Sequence, residues 1–167
     1  MVTVNTEIMN GMDLKSPSNT FDVSCTSFAL FAFPDTVDSA YDLHRTCKSH
    51  GMAALTAWKT FGWIPFPYEV ARRIRPGREF TRFLLLDMWS VPGKLAETLR
   101  EGGFWEVEDG EVKAYAFWES LEVAAGKLSE TLRMMAGKRW REGFREVMRE
   151  GGRVGVEMVA WTGVGRK

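Results

Sequence analysis

The chain has 167 residues, the size of one domain, with 45% hydrophobic and 26% charged residues. That composition excludes a disordered segment and allows a core that hides roughly 70% of the unfolded surface. Lys plus Arg and Asp plus Glu each number 22, which excludes a polycation holding nucleic acid by bulk charge, and two cysteines exclude a disulfide-rich secreted scaffold.

The first twenty residues, MVTVNTEIMNGMDLKSPSNT, contain no apolar run of signal-peptide length. The longest apolar run, FALFAFP from Phe28 to Pro34, falls far short of the ~20 residues that span a bilayer. The expectation is a cytoplasmic protein with a loose N-terminus, no membrane partner, and Cys25 and Cys47 as reduced thiols in or near the core. Neutrality hides an uneven distribution of charge. Residues 1–60 carry −2, 61–100 carry +3, 101–125 carry −6 and 126–167 carry +5. A local basic surface facing a polyanion is therefore compatible with a neutral chain, as is a set of ordinary solvated faces.

In chain order, Phe21 to Phe33 is rich in Phe and Ser and reads as an edge strand or extended arm. Asp35 or Thr36 caps a helix from Val37 to Lys48, with Asp38 in its first turn, and Gly51 breaks it. A second helix runs from Met52 to Phe61, packing through Ala53, Leu55, Ala57 and Trp58, with Gly62 as its C-cap. Ile64-Pro65-Phe66-Pro67 reads as extended, and Pro67 opens a helix from Tyr68 to Ile74. The strongly apolar stretch Glu79 to Trp89 predicts a buried helix, and Lys94 to Glu101 a short amphipathic one. Phe104 to Glu108 and Val112 to Trp118 then read as a β-hairpin around an Asp109-Gly110 type I′ turn. Leu121, Ala125, Leu128, Leu132, Ala136, Trp140, Phe144 and Val147 recur at steps of three or four, predicting a long helix from Glu119 to Glu150 with a break near Gly137. Val154 to Ala160 alternates and suggests a last short strand.

Three helices followed by an aromatic hairpin is the order of a winged helix-turn-helix, in which the hairpin closes a small tri-helical core. The fold class expected is mainly α with a small β-hairpin (α+β), followed by a long C-terminal helix. The division expected is an N-terminal arm or strand over 1–34, a winged-helix domain over 35–119, and a C-terminal helix and tail over 120–167 packed on the same domain. From Leu43 to Glu119 the chain resembles the winged-helix domain of actinobacterial phage and prophage replication-initiator proteins. The residues that carry the likeness are Trp58, Gly62-Trp63, Ile64-Pro65, the run Leu99-Arg100-Glu101-Gly102-Gly103-Phe104-Trp105-Glu106, Asp109-Gly110 and Phe117-Trp118-Glu119. The resemblance implies a DNA-binding protein of replication initiation or transcriptional regulation, with double-stranded DNA as partner.

Three groups of bases suit that role. Arg72, Arg73, Arg75, Arg78 and Arg82 form the densest basic run, and arginine makes bidentate contacts with phosphate and guanine. Lys94, Thr98 and Arg100 lie on the helix before the hairpin, and Lys113 on the wing. Lys138, Arg141, Arg145 and Arg149 share a face of the long helix, next to Glu142, Glu146 and Glu150. The apolar stripe opposite suits the domain's own core or a homodimer through the 121–147 helix.

An alternative comes from the acidic wing. Glu106, Glu108, Asp109 and Glu111 suit a phage-encoded inhibitor that mimics DNA toward a basic host complex, of the anti-CRISPR kind. His44, Cys47 and His50 do not have the spacing of a common zinc finger. No Gly-rich phosphate loop and no G-x-S-x-G elbow occurs. The sequence therefore suggests neither an enzyme, nor a metal, nor a cofactor.

Overall fold

In the computed structural model, which describes residues 4–77, 88–131, 138–151 and 155–167, the first regular element is strand β1 (Phe21–Ser27). Its Phe, Val and Thr side chains favour a pleated surface over a helix. One 3-10 turn follows, Leu30–Ala32. Asp35 then caps helix α1 (Thr36–Thr46), accepting from the Val37 and Asp38 amides at 3.0 and 2.9 Å. Asp38 stands in the first turn, where the helix dipole favours an acid. The chain passes directly into strand β2 (Cys47–Phe61).

Strand β2 is the main correction to the expected order, which has a helix over Met52–Phe61. Gly51, Ala53, Leu55 and Ala57 are buried, while Met52, Ala54, Thr56 and Trp58 between them are half-buried. That period of two is a strand's. Alanine and leucine favour helices in isolation, but pairing overrides the preference. β1 and β2 run parallel, with Val23 beside Met52, Cys25 beside Ala54 and Ser27 beside Thr56. A parallel pair needs a crossover of a dozen or more residues, and the segment containing α1 provides it. Gly62, expected as a helix cap, follows the strand instead. A Cβ there would fall 2.1 Å from the Glu157 carbonyl oxygen, so only glycine fits.

Helix α2 (Pro65–Ile74) starts three residues earlier than expected. Pro65 and Pro67 sit in its first turn, where backbone amides have no intrahelical acceptor and proline loses nothing. Helix α3 (Lys94–Glu101) has the expected bounds. The expected hairpin is a single strand, β3 (Trp105–Phe117). A type I′ turn needs positive φ at both central residues, and neither Asp109 nor Gly110 has it; Glu106, at φ 46°, does. Helices α4 (Leu121–Thr131) and α5 (Lys138–Glu150) occupy the stretch expected as one long helix. The final strand β4 (Gly155–Arg166) runs beyond the short one expected. Arg78, Arg82 and most of the helix expected over Glu79–Trp89 lie outside the described residues, as do Leu132, Ala136, Gly137 and Val154.

The four strands form one sheet in the order β1-β2-β4-β3. Neighbours out of chain order, a parallel pair and a helical crossover make this an α/β sheet. The fold is therefore neither mainly α nor winged-helix, because the supposed second helix and the supposed hairpin are both long strands of that sheet.

The described residues fall into two compact units. One comprises 4–59, 88–112 and 160–167. Its core sets Leu55 and Ala57 of β2 with Leu95 and Leu99 of α3 and Trp161 of β4. The other comprises 60–77, 113–131, 138–151 and 155–159. There Val70 of α2, Ala124 and Leu128 of α4, and Trp140, Phe144 and Met148 of α5 pack together. Of the two readings of the apolar stripe, the domain's own core and a homodimer face, its described residues follow the first. No helix among the described residues is long and apolar enough to cross a membrane.

Two arginines of the expected DNA anchor belong to that second unit's ion pairs. Arg72 donates to Glu69 at 3.0 and 2.8 Å, and Arg73 reaches Glu69 at 2.9 Å and Glu150 at 2.8 and 2.6 Å. Hydrogen bonds from Arg72 and then Arg73 push the Glu69 carboxyl down from 4.5 to about 2.

Two measurements check these assignments. Leu55 is 1% exposed, so Leu55→Ala should lower the unfolding free energy by about 2–5 kcal/mol in a denaturant titration. A loss below about 1 kcal/mol would be inconsistent with this core. Glu69 titrates lower when folded, so its contribution is present above 4.5 and is lost as pH falls toward 2. Melting temperature should therefore fall less steeply over that interval in Glu69→Gln than in the wild type; superimposable profiles would remove the pair from the account.

Candidate functional site

In open α/β sheets, ligands settle in the crevice beyond the carboxyl ends of the parallel strands. Here that position is the exit of β1, at Ser27 and Phe28. Phe28 has a φ of 49°. A bulky side chain in this left-handed region costs roughly 1–2 kcal/mol. Two contacts hold it there. The Phe28 amide donates to the Thr56 hydroxyl at 3.0 Å. Its ring stacks on Trp58 with centroids 3.9 Å apart and planes 13° from parallel. Strained residues fixed this firmly concentrate where ligands are clamped.

Strand alternation sorts what surrounds the pair. Thr56 and Trp58 share one face of β2, with Cys25 and Ser27 beside them on β1 through the parallel register. Ala57 and Lys59 point the other way. Lys59 lies over the Trp161 ring at 4.5 Å and pairs with Glu111. The nearest base along β2 is thus turned from the aromatic pair, both rings of which are half-buried.

Cys25 is exposed on this open face, in contrast to the expectation of a core thiol, while Cys47 is buried with its Sγ 3.4 Å from the Ser24 hydroxyl. His44 packs edge-on against Phe104 at 5.1 Å. Burial first, and the Lys167 charge second, hold its pKa below the ordinary value. Among the described residues, no group of three or more His, Cys, Asp or Glu could hold a metal ion.

The bases expected to meet DNA are distributed between the two units. Arg72 and Arg73 are in the ion pairs given above, and the Arg75 guanidinium lies over Trp140 at 5.5 Å. Lys94 pairs with Glu97 at 2.9 Å. Thr98 is fully buried and donates to the Lys94 carbonyl at 3.0 Å. Arg100 reaches the Val107 carbonyl at 3.3 Å. Lys113 and Arg141 are exposed. Lys138 is 3.9 Å from Glu142, and Arg145 pairs with Glu122. The acidic set lies along β3: Glu106 is 3.5 Å from Arg166, Glu111 holds Lys59, and Glu108 and Asp109 are exposed.

Phe28, Thr56 and Trp58 were not among the expected site residues. A signal for them is present in the sequence. Thr20 to Ser27 reads as a strand, the Pro34-Asp35 cap opens a helix, and Gly51 to Trp58 is a near-continuous apolar run. Those three features in succession spell a strand–helix–strand unit, whose first strand ends at Ser27-Phe28.

No protein-family profile matches the chain. A demethylmenaquinone methyltransferase of Geobacillus kaustophilus (strain HTA426) is 34% identical over 121 residues, 65% of this chain and 50% of that protein. The chain thus spans about half the length of this curated relative. Among solved structures, a candidate methyltransferase of Bacillus halodurans C-125 superposes with a TM-score of 0.57 at 13% identity, over 95% of this chain and 75% of its own. The YcgJ protein of Bacillus subtilis gives 0.54 at 13% identity, over 95% and 69%. A Haemonchus contortus phosphoethanolamine N-methyltransferase 2, solved with S-adenosylhomocysteine, gives 0.51 at 11%, over 96% and 36%.

At these identities the structures establish the fold alone. Together with the curated match they overturn the likeness to phage replication initiators. The readings that rested on it fall too: a non-enzymatic DNA binder, a regulator, an anti-CRISPR inhibitor, and DNA or a basic CRISPR-type complex as partner. The chain has the Rossmann-like α/β fold of these methyltransferase structures.

Proposed function

We propose that this chain serves methyl transfer from S-adenosylmethionine to a small-molecule acceptor, with the carboxyl end of β1 as part of the donor site. The observation that carries the proposal is Phe28, held at positive φ against Thr56 and Trp58 where an α/β sheet receives its ligand. The fold shared with methyltransferase structures and the identity with a demethylmenaquinone methyltransferase support methyl transfer as the chemistry of that position.

The residues present suit the cationic end of such a donor. A sulfonium is attracted to the electron-rich face of an aromatic ring, and tryptophan is the strongest such partner. Lys59, the adjacent base, is directed to the opposite face and neutralised by Glu111. The bound donor supplies an electrophilic methyl group on that sulfonium. The chain's own part is positional. Thr56 fixes the Phe28 amide, the stacked rings form an apolar wall that limits water, and the strand end sets where the wall stands. An acceptor of the demethylmenaquinone kind is the first to try, given the name of the curated relative. The cytoplasm is the proposed compartment.

The test is calorimetric titration of the chain with S-adenosylhomocysteine and S-adenosylmethionine. Both should bind, and Trp58→Leu should weaken S-adenosylmethionine by about 5–30-fold, the equivalent of ~1–2 kcal/mol of cation–π attraction. S-adenosylhomocysteine, whose sulfur is a neutral thioether, should lose less. Wild-type chain that binds neither compound at about 1 mM, weaker than ~4 kcal/mol, would sink the proposal.

A further inference from the structure

The segment preceding β1 is fastened to α1 by a half-buried ion pair, besides backbone hydrogen bonds from Asn19 to Arg45 and from Thr20 to Thr46. Asp42, 8% exposed, accepts the Leu14 amide on one carboxylate oxygen at 2.5 Å and Arg45 Nε on the other at 2.5 Å. The other two arms of the same guanidinium donate to the Leu14 carbonyl at 2.7 Å and the Ser16 carbonyl at 2.9 Å. Both backbone groups of Leu14 are thus held by two side chains one helical turn apart. Burial alone would raise the Asp42 pKa, but Arg45 and the Leu14 amide outweigh it and the carboxyl stays below its ordinary value.

Immediately before Leu14 the chain makes a tight turn. The Asn10 side-chain oxygen accepts the Met12 amide at 3.1 Å, and the Asp13 amide donates to the Asn10 carbonyl at 3.1 Å. Gly11 lies against Phe33, so closely that a Cβ would fall 2.2 Å from the ring. Phe33 follows the Leu30–Ala32 turn in the segment that leads from Phe28 to the Asp35 cap of α1. The turn therefore abuts the stretch leaving the carboxyl end of β1, the end that carries the Phe28–Trp58 pair.

We infer that Asp42 and Arg45 are positioning residues that hold the 10–13 turn as one wall of the donor site. This rests on the donor reading above. Neither side chain touches the donor: the pair acts through Leu14, whose fixed amide and carbonyl set where the turn begins. A planar guanidinium with donors on three nitrogens can satisfy Asp42 and two carbonyls together, whereas an ammonium cannot span them. The function of the pair is thus separable from its charge.

The test compares wild type with Arg45→Lys and Arg45→Met. It measures S-adenosylhomocysteine binding by titration, amide hydrogen exchange by mass spectrometry, and thermal melting. Arg45→Lys should melt within a few degrees of wild type. Its binding should weaken about tenfold, in line with loss of preorganisation at a site, and exchange should quicken at residues 10–16 but not in β2. Arg45→Met should show a larger effect of the same local pattern.

If wild type binds and Arg45→Lys binds equally well, the positioning role is overturned while the donor reading stands. Weakened binding with exchange raised equally through β2 also overturns it, since the pair would then be general scaffolding. If wild type itself does not bind, the donor reading fails and takes this assignment with it.

Discussion

The parallel pairing of β1 with β2 is the constraint on which the rest of the structure depends. Parallel strands cannot be joined by a tight turn, so the chain must leave the carboxyl end of β1, cross over, and return at the amino end of β2. Asp35 makes that return cheap in free energy by capping α1 at once. The register then puts Ser27 beside Thr56, which brings the Thr56 hydroxyl to the Phe28 amide and the Trp58 ring to the Phe28 ring. One pairing thus creates the strained corner and supplies the contacts that hold it. The proposed donor site follows from the topology rather than from any motif of catalytic residues.

Charge has a structural use in this chain that its net value of zero does not reveal. Among the described residues, Arg72, Arg73, Arg75, Lys94, Lys138 and Arg145 of the set expected to face a polyanion have carboxylate or aromatic partners within their own unit. Arg73 ties α2 to α5 through Glu150 and pairs with Glu69 on its own helix, and Arg145 ties α5 to α4 through Glu122; Lys59, outside that set, is held by Glu111 and Trp161. Exposed pairs of this sort each add little to stability. Their effect is to satisfy those bases locally, within one unit. Arg45 differs because its partner is buried and its remaining donors go to backbone carbonyls.

Much of the local structure was legible in the sequence. The Asp35 cap, helix α3 with both its ends, and the last strand were all readable from caps, glycines and alternation. What was not legible was pairing between distant segments. Ala53, Leu55 and Ala57 suit a helix by propensity, and only the neighbouring strands make Met52–Phe61 a strand. Asp109-Gly110 reads as a hairpin turn by its dipeptide, but the two residues keep ordinary φ and the strand runs through them. Those two misreadings together produced a winged helix from what is a four-stranded sheet. The position of Phe28 at a strand end is readable from the strand–helix–strand order, but its positive φ leaves no trace in composition or periodicity.

The most direct measurement of the central claim is photo-crosslinking of radiolabelled S-adenosylmethionine to the chain, followed by mapping of the labelled peptide. Label should fall on the segment leaving β1, residues 27–33, or on the facing stretch of β2 that contains Thr56 and Trp58. Label confined to α2 or α5, or no label above the level seen with excess unlabelled S-adenosylhomocysteine, would contradict that claim.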